Sequence, residues 1–173
     1  DPASMETRAR RDGNDYILNG VKMWISDGHI ADIAIIWGKD EDGAIRGFIV
    51  PKGTPGFSAN PIKHKVSMRA SVTSELVLND VRLPASAMLP GTDRMKGPLM
   101  TLTQARYGIC WGALGVIDMV YHEALRFAQS RSTFGQPIAS RQLVQAKFAQ
   151  MLADHTKGLL LAWKMGKNKD AGK

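Results

Sequence analysis

The β-rich part of the chain is decided by the stretch YILNGVKMWIS at residues 16–26. Its Asn19-Gly20 dipeptide is typical of a two-residue hairpin turn between two strands. Outward from this stretch, short apolar runs continue, separated by polar or Gly- and Pro-containing breaks. They occupy residues 31–38, 45–50, 57–66 and 74–83. Short strands without intervening helices predict an antiparallel β-sandwich or barrel-like domain of two packed sheets.

Beyond the strands, apolar residues recur at steps of three or four, as they do on one face of a helix. One such pattern runs from Leu99 to Phe127 and a second from Leu143 to Met165, with a polar break at residues 130–138. The patterns predict two long antiparallel helices. They belong to an incomplete helical bundle, because their apolar faces are more than two helices can bury against each other.

Three glycines, Gly108, Gly112 and Gly115, lie inside the first helical pattern. Since glycine lowers helix propensity, we expect them to allow close packing by another backbone. Together with the strands, the helices make the predicted fold class α+β. The predicted domains are a β-domain at residues 1–90 and a helical domain at residues 91–173.

Composition narrows the classes of function. The chain has 173 residues, 44% hydrophobic and 23% charged, and its 23 basic and 16 acidic residues give a net charge of +7. A basic surface favours anionic partners, but no basic run is interleaved with aromatics, so nucleic acid is not an expected partner. No apolar stretch is long enough for a membrane span. The single cysteine, Cys110, excludes an internal disulfide and fits a reducing compartment.

Several common motifs for nucleotide binding, nucleophilic catalysis and zinc binding are absent from the sequence. It has no phosphate loop, dinucleotide glycine fingerprint or nucleophile elbow. The four histidines, His29, His64, His122 and His155, are scattered, so no metal-binding residues are predicted.

Three motifs, spread over nearly the whole chain, resemble those of one enzyme family. They are DPAS at residues 1–4, NGVKMWIS at residues 19–26, and RSTFGQPI at residues 131–138 followed by Gln142. They are similar to the tail of the signature segment, the Asn-Gly to Trp-Ile-Ser pattern, and the Arg-x-x-Phe-Gly loop of acyl-CoA dehydrogenases. The resemblance implies the middle β-domain and the first helices of the C-terminal domain, as an internal fragment of a longer enzyme.

Within that family, three stretches resemble glutaryl-CoA dehydrogenases. They are DGAIRGF at residues 42–48, MRAS at residues 68–71 and ARYGICWG at residues 105–112. The resemblance implies oxidative decarboxylation of glutaryl-CoA to crotonyl-CoA, with electrons passed to an electron-transfer flavoprotein, in a homo-oligomer that we expect to be a tetramer. The alternatives are a short- or branched-chain acyl-CoA dehydrogenase, a non-catalytic module that binds flavin or a partner, and a structural domain without flavin.

The resemblance also implies the residues that bind FAD. The ring of Trp24 would pack against the isoalloxazine, Ile25 would present backbone groups, and the Ser26 hydroxyl would lie near flavin N5. Arg131 would reach the diphosphate of a neighbouring subunit's FAD, because a guanidinium binds two phosphate oxygens at once. The residues expected beside it are Thr133, Phe134 and Gln142. A buried tryptophan next to a turn, and an arginine at a helix C-terminus, are the structural alternatives.

The first helix would form one wall of the acyl-CoA groove. The expected lining residues are Leu99, Leu102, Thr103, Arg106 and Tyr107. The alternative is a core helix with one arginine extended to solvent.

We assign no catalytic base within the chain. The family's base is expected near a Tyr-Glu-Gly-Thr motif, which this sequence lacks. We therefore expect this chain alone not to turn over substrate. The expected location is the cytoplasm in a bacterium, or the mitochondrial matrix in a eukaryote.

Overall fold

A computed structural model describes residues 2–92 and 95–173. The chain divides into two compact units, Asp1–Thr101 and Leu102–Lys173. The domain boundary predicted between residues 90 and 91 stays a prediction. The class α+β is confirmed, since the first unit is built on a β-sheet and the second on two long helices.

The first unit contains six strands joined in one sheet. They are β1 (Arg8–Asp12), β2 (Asp15–Ser26), β3 (Ile33–Lys39), β4 (Ile45–Pro51), β5 (Phe57–Pro61) and β6 (Thr73–Pro84). Their order is β4-β3-β1-β2-β6-β5, and every pair is antiparallel except β1 with β3, which is parallel. The expectation of two separate antiparallel sheets is therefore wrong for this unit. The reason is β1, which joins the β2 and β3 halves and which the sequence RARRD does not reveal.

One hydrophobic core lies between the two halves of the sheet. Leu18 from β2, Phe48 and Val50 from β4, and Leu76 and Val81 from β6 are almost fully buried in the same cluster. The short 3-10 helix Ala85–Ala87 follows β6, and the residues after it reach the free edge of β4. There Met88 bridges to Phe48, and the Leu89 amide donates to the Gly47 carbonyl at 2.9 Å. The sheet thus curls around its core and is barrel-like, as expected.

The Asn19-Gly20 turn predicted from the sequence is wrong. β2 runs unbroken through both residues, and the hairpin turn lies between β1 and β2 instead. The Asn19 side chain accepts from the Asp80 amide and donates to the Asp80 carboxylate, both at 2.9 Å, so it replaces backbone pairing. Gly20 has φ 146°, and a Cβ there would lie 2.8 Å from Thr7 Cα. The glycine is needed for this close approach within the sheet.

Two β-bulges interrupt the pairing of β2 with β6. Near the middle, Asn19 of β2 stands opposite two β6 residues, since Leu18 pairs with Val81 and Gly20 with Leu78. In the second bulge, near the end of β2, the extra residue lies on β2 itself, where two residues stand opposite one residue of β6. A bulge adds one residue locally while the strands continue on either side.

The second unit is a helical hairpin. It contains α1 (Lys96–Ser130), whose first turns belong to the first unit, and α2 (Gln142–Asp170). Between them lie β7 (Ser132–Thr133), β8 (Gln136–Pro137) and the 3-10 helix Ile138–Ser140. The two predicted long helices are confirmed. No helix in the described part of the chain is long and apolar enough to cross a membrane.

The helices contact each other through glycines of α2 rather than of α1. A Cβ on Gly158 would lie 2.6 Å from Leu114, and one on Gly166 would lie 2.5 Å from the Tyr107 hydroxyl. The order of these contacts, together with the Tyr121–Phe148 ring pair at 5.7 Å, makes the hairpin antiparallel. The three α1 glycines expected to pack against another backbone face open space instead, with no described atom within 4 Å of an added Cβ.

Candidate functional site

The second bulge determines how the end of β2 is presented. Lys22 pairs with Leu76 and Ile25 with Ser74, so Met23 and Trp24 together stand opposite Glu75. Residues paired across antiparallel strands lie on the same side of the sheet. Because of the extra residue, Ile25 returns to the core side, where it packs against the buried cluster.

Trp24 is the more exposed of the two bulge residues, Met23 and Trp24. Its side chain is 63% exposed, and its backbone is left-handed, with φ 63°. A bulky residue in this region is a genuine outlier, of the kind that clusters at binding sites. Next to it, the exposed Ser26 ends the strand opposite Thr73. Of the three residues of β2 that are predicted to bind flavin, Ile25 therefore packs against the core, whereas Trp24 and Ser26 face outward.

The turn after β2 is hydrogen-bonded to the sheet by residues that were not among the predicted site residues. Asp27 has φ 60°, and its amide donates to the Val72 carbonyl at 2.9 Å. The His29 Nδ1 lies 2.9 Å from the Ser74 hydroxyl, and Lys52 Nζ donates to the His29 carbonyl at 3.2 Å. The Asp-Gly step at residues 27–28 is the sequence signal that could have indicated this turn.

Lys22 brings a cation to the core side of the sheet beside this site. It is half-buried opposite the buried Leu76, and burial lowers the pKa of its ammonium group because desolvation disfavours the charged form. Among residues 2–92 and 95–173, no acidic side chain forms an ion pair with it.

The loop between β5 and β6 is folded around a second lysine. Lys65 Nζ donates to the Met68 carbonyl at 3.0 Å, to the Thr73 hydroxyl at 2.8 Å and to the Ser71 carbonyl. These bonds fix the loop that carries the MRAS motif. Its tip leaves Met68, with φ 48°, and Arg69 exposed.

In the second unit, the predicted Arg131, Thr133, Phe134 and Gln142 lie in one short connection between the helices. The Arg131 amide closes α1 on Phe127 at 2.8 Å, and its side chain is exposed. Phe134 and Gly135, with φ 52° and 74°, form the tip between β7 and β8. Phe134 is 99% exposed there. Gln142 begins α2 and is also exposed.

The predicted acyl-CoA residues occupy the first turns of α1. Leu99 and Leu102 are 44% and 40% exposed, and Thr103 and Arg106 are exposed as well. Tyr107 differs from them because it faces α2.

Tyr107 is held between the two helices by several contacts. Lys169 Nζ lies 5.2 Å from the centroid of its ring, and the Trp111 ring meets it edge-on at 6.4 Å. Within this unit Tyr107 therefore packs the helix pair, and its role beside a thioester stays a prediction.

Other features of the described residues lie away from these groups. A cavity of about 370 Å³ is lined by Ile49, Leu83 and Ala87, among others, near the Asp15 end of β2 rather than the Trp24 end. No group of three or more His, Cys, Asp or Glu side chains in residues 2–92 and 95–173 could hold a metal ion.

The chain is similar to known proteins along essentially its whole length. Residues 1–81 match the middle domain of acyl-CoA dehydrogenases, and residues 95–173 match their C-terminal domain. The chain is 39% identical to mitochondrial isovaleryl-CoA dehydrogenase of Pongo abelii over 87% of this chain and 37% of the relative. It is 32% identical to human mitochondrial short-chain specific acyl-CoA dehydrogenase over 98% of this chain and 42% of the relative.

A solved structure is more similar still. Glutaryl-CoA dehydrogenase from Mycobacterium smegmatis, in complex with FADH2, is 52% identical, with a TM-score of 0.96, over 99% of this chain and 44% of that chain. The chain thus spans less than half the length of these relatives. Because its two units match consecutive domains of one family, the chain belongs to the acyl-CoA dehydrogenases.

Proposed function

We propose that the full-length protein is an FAD-dependent acyl-CoA dehydrogenase and that its substrate is glutaryl-CoA. The observation that carries the flavin assignment is the bulge at the end of β2. It places the Trp24 ring, which is 63% exposed, on the surface of the sheet with a left-handed backbone of φ 63°.

The described residues suit FAD chemically. Trp24 offers an apolar ring to the isoalloxazine, and Ser26 offers a hydroxyl and an amide as hydrogen-bond donors. Arg131 would bind the diphosphate of a neighbouring subunit's FAD, with Thr133, Phe134 and Gln142 beside it. FAD, when bound, accepts the hydride that leaves the carbon β to the thioester. The chain's own contribution is to bind and orient both molecules.

Glutaryl-CoA is favoured over other acyl-CoA esters by sequence identity. The chain is 52% identical to the mycobacterial glutaryl-CoA dehydrogenase, against 39% and 32% for the isovaleryl-CoA and short-chain enzymes. The second candidate is a branched- or short-chain substrate, which those two relatives support. We also propose a homotetramer that passes its electrons to an electron-transfer flavoprotein.

The substrate is tested with purified full-length protein. Glutaryl-CoA, isovaleryl-CoA and butyryl-CoA would each be supplied with an electron acceptor, and products identified by mass spectrometry. We expect flavin absorbance in the purified protein, and crotonyl-CoA and carbon dioxide from glutaryl-CoA in equal amounts. Faster oxidation of isovaleryl-CoA or butyryl-CoA, without decarboxylation of glutaryl-CoA, would establish the second candidate. Absence of flavin from correctly folded protein would overturn the proposal entirely.

The role of Arg131 is tested by Arg131→Ala, with Arg141→Ala as a control. Arg141 lies in the same connection but is engaged internally, donating to the Thr133 carbonyl at 3.2 Å. We expect the first variant to lose flavin on dilution while its circular dichroism spectrum is unchanged. Mixing it with a Trp24→Ala variant would restore part of the flavin binding if the two residues act from different subunits.

A further inference from the structure

The start of α1 rests on a tryptophan that the proposed function has not used. Trp37 pairs with Gly47 across β3 and β4. A Cβ on Gly47 would lie 2.8 Å from Cζ3 of the indole, and a Cβ on Gly97, in the first turn of α1, would lie 2.8 Å from Cη2. Two glycines from different elements thus approach the same edge of one ring.

Conformation does not explain these glycines. Neither Gly47 nor Gly97 has a positive φ, so any residue could adopt their backbone geometry. Glycine within regular structure is unfavourable by roughly 0.5–1 kcal/mol relative to alanine. What requires glycine here is the space taken by the Trp37 ring.

The ring edge near the two glycines is enclosed by buried groups, while the indole as a whole is partly exposed. Gly47 and Gly97 are both buried, and Leu89 adds a methyl group within 3.0 Å of the Cβ position at Gly47. Tryptophan has only two side-chain torsions, and a packed ring transmits displacement rather than absorbing it. The distance between β3 and the first turn of α1 is therefore set by the indole.

We propose that Trp37 is a positioning residue for the acyl-CoA dehydrogenase reaction, holding the helical turn whose next side chains contact the acyl group. The inference rests on the proposed function and on the expectation from the family resemblance that Leu99 lines the acyl-CoA groove. Leu99 lies two residues after Gly97, on the turn that contacts the indole. A displaced turn moves this wall without touching the flavin residues of β2.

The experiment is a double-mutant cycle in the flavin-loaded full-length enzyme: Gly97→Ala, Trp37→Phe, and both together. The methyl group added by Gly97→Ala pushes the turn from the ring. We expect about a tenfold loss of kcat/KM, since misplacement of about 1 Å costs up to roughly a hundredfold. The loss should reside in KM and vary with acyl-chain length, while flavin content stays at the wild-type value. Phenylalanine vacates the ring edge, so the double variant should match Trp37→Phe within about twofold.

Each outcome decides the matter. A Gly97→Ala enzyme with wild-type KM for every acyl-CoA, or a double variant whose loss of kcat/KM equals the product of the two single losses, overturns the positioning role. Another outcome is a loss of activity that is equal for all acyl-chain lengths and proportional to the loss of folded, flavin-loaded protein. That result would show that Trp37 is a merely structural residue and would also overturn the positioning role. If Gly97→Ala does not fold, Trp37→Phe alone must change the chain-length preference, or the inference fails. A wild-type enzyme that oxidises no acyl-CoA overturns the proposed function, and this inference with it.

Discussion

At the scale of single residues, the left-handed backbone of Trp24 is the main departure from regular structure. A non-glycine residue in such a conformation costs about 1–3 kcal/mol. Little packing offsets this cost, because the side chain is 63% exposed. A ligand bound to the ring, as proposed for the flavin, would offset this cost.

Trp24→Asn should therefore stabilise the chain while it weakens flavin binding. Asparagine tolerates the left-handed region well, so we expect the free energy of unfolding to rise by up to about 1 kcal/mol. Urea unfolding of the 173-residue chain and flavin titration of the full-length protein measure the two effects. Met23→Asn, at the neighbouring bulge position without a positive φ, is the control and should give no gain. A destabilised Trp24→Asn would show that the ring supports the fold.

Lys22 predicts a pH dependence of stability. Burial lowers its pKa in the folded state, so at neutral pH the folded state bears the cost of a partly desolvated ammonium group. As pH rises through the lowered pKa toward the ordinary lysine value of about 10.4, the group loses its proton in the folded state and the cost disappears. We expect Lys22→Met to stabilise the chain at neutral pH, by an amount that shrinks as pH approaches 10.

Urea unfolding at a series of pH values from about 6 to about 10 measures this difference. Lys63→Met, at an exposed lysine, is the control and should change stability little at any pH. A gain that is the same at every pH would mean that the methionine side chain packs better than that of lysine for reasons unrelated to charge.

At the scale of elements, the glycines of the two long helices have opposite surroundings. A methyl group at Gly158 meets Leu114, one of the few buried residues between the helices, whereas a methyl group at Gly108 meets open space. Helix propensity favours alanine at both positions, so only packing separates them. The contact face of α2 is therefore the part of the hairpin least able to accept a larger side chain.

Gly158→Ala should destabilise the hairpin by about 1–3 kcal/mol through overpacking. Gly108→Ala is the matched control and should stabilise it by about 0.5–1 kcal/mol. Thermal unfolding of the 173-residue chain, followed by helical circular dichroism, tests both. Equal effects at the two positions would contradict the contact between α2 and Leu114.

The elements also show what the sequence could predict. Short apolar runs located β3, β4 and β6, and apolar residues at steps of three or four located both long helices, although the helices leave most of their apolar side chains exposed in this chain. They missed β1, since only Ala9 of RARRD is buried and four charged residues hide the alternation. The Asn19-Gly20 turn prediction failed because glycine also occurs where another part of the backbone approaches closely, here Thr7, and only the tertiary structure decides between these two uses.

The candidate site was predictable to a similar extent. The motifs indicated Trp24 and Phe134, whose roles in flavin binding stay predictions, but residue order alone does not show which residues of a strand form a bulge. The bulge at Trp24 could therefore be recognised only from the pairing register of β2 with β6. Tyr107 was expected to face the substrate. Its contact with Lys169 could not be predicted, because Lys169 lies on the other helix, roughly sixty residues later in the sequence.

At the scale of the whole molecule, burial is unevenly divided between the two units. The β-unit has a cluster of nearly inaccessible side chains, including Leu18, Phe48 and Val81. In the described helical unit only Leu114, Ala128 and Ala162 are buried, while large side chains such as Phe127 remain exposed. Local stability follows buried apolar contact.

Hydrogen exchange should therefore separate the two units. We expect the amides of β2 and β6 to exchange most slowly and those of α1 and α2 considerably faster in the 173-residue chain, as measured by mass spectrometry of peptic peptides. Full-length protein provides the comparison, and protection of the helices should rise there if further chain covers their apolar side chains. Equal protection of strands and helices in the 173-residue chain would show that the two units open as one.

The bulge at the end of β2 has a consequence for how this protein can change over evolutionary time. Without Trp24, Lys22 and Ile25 would still fall on the same side of the sheet, with Met23 between them, in plain alternation. The tryptophan is thus one of two exposed residues, Met23 and Trp24, that share a single alternating position of the strand. Mutation at this codon can alter what the surface recognises while the neighbouring core residues keep their places, so ligand preference and folding can be selected separately.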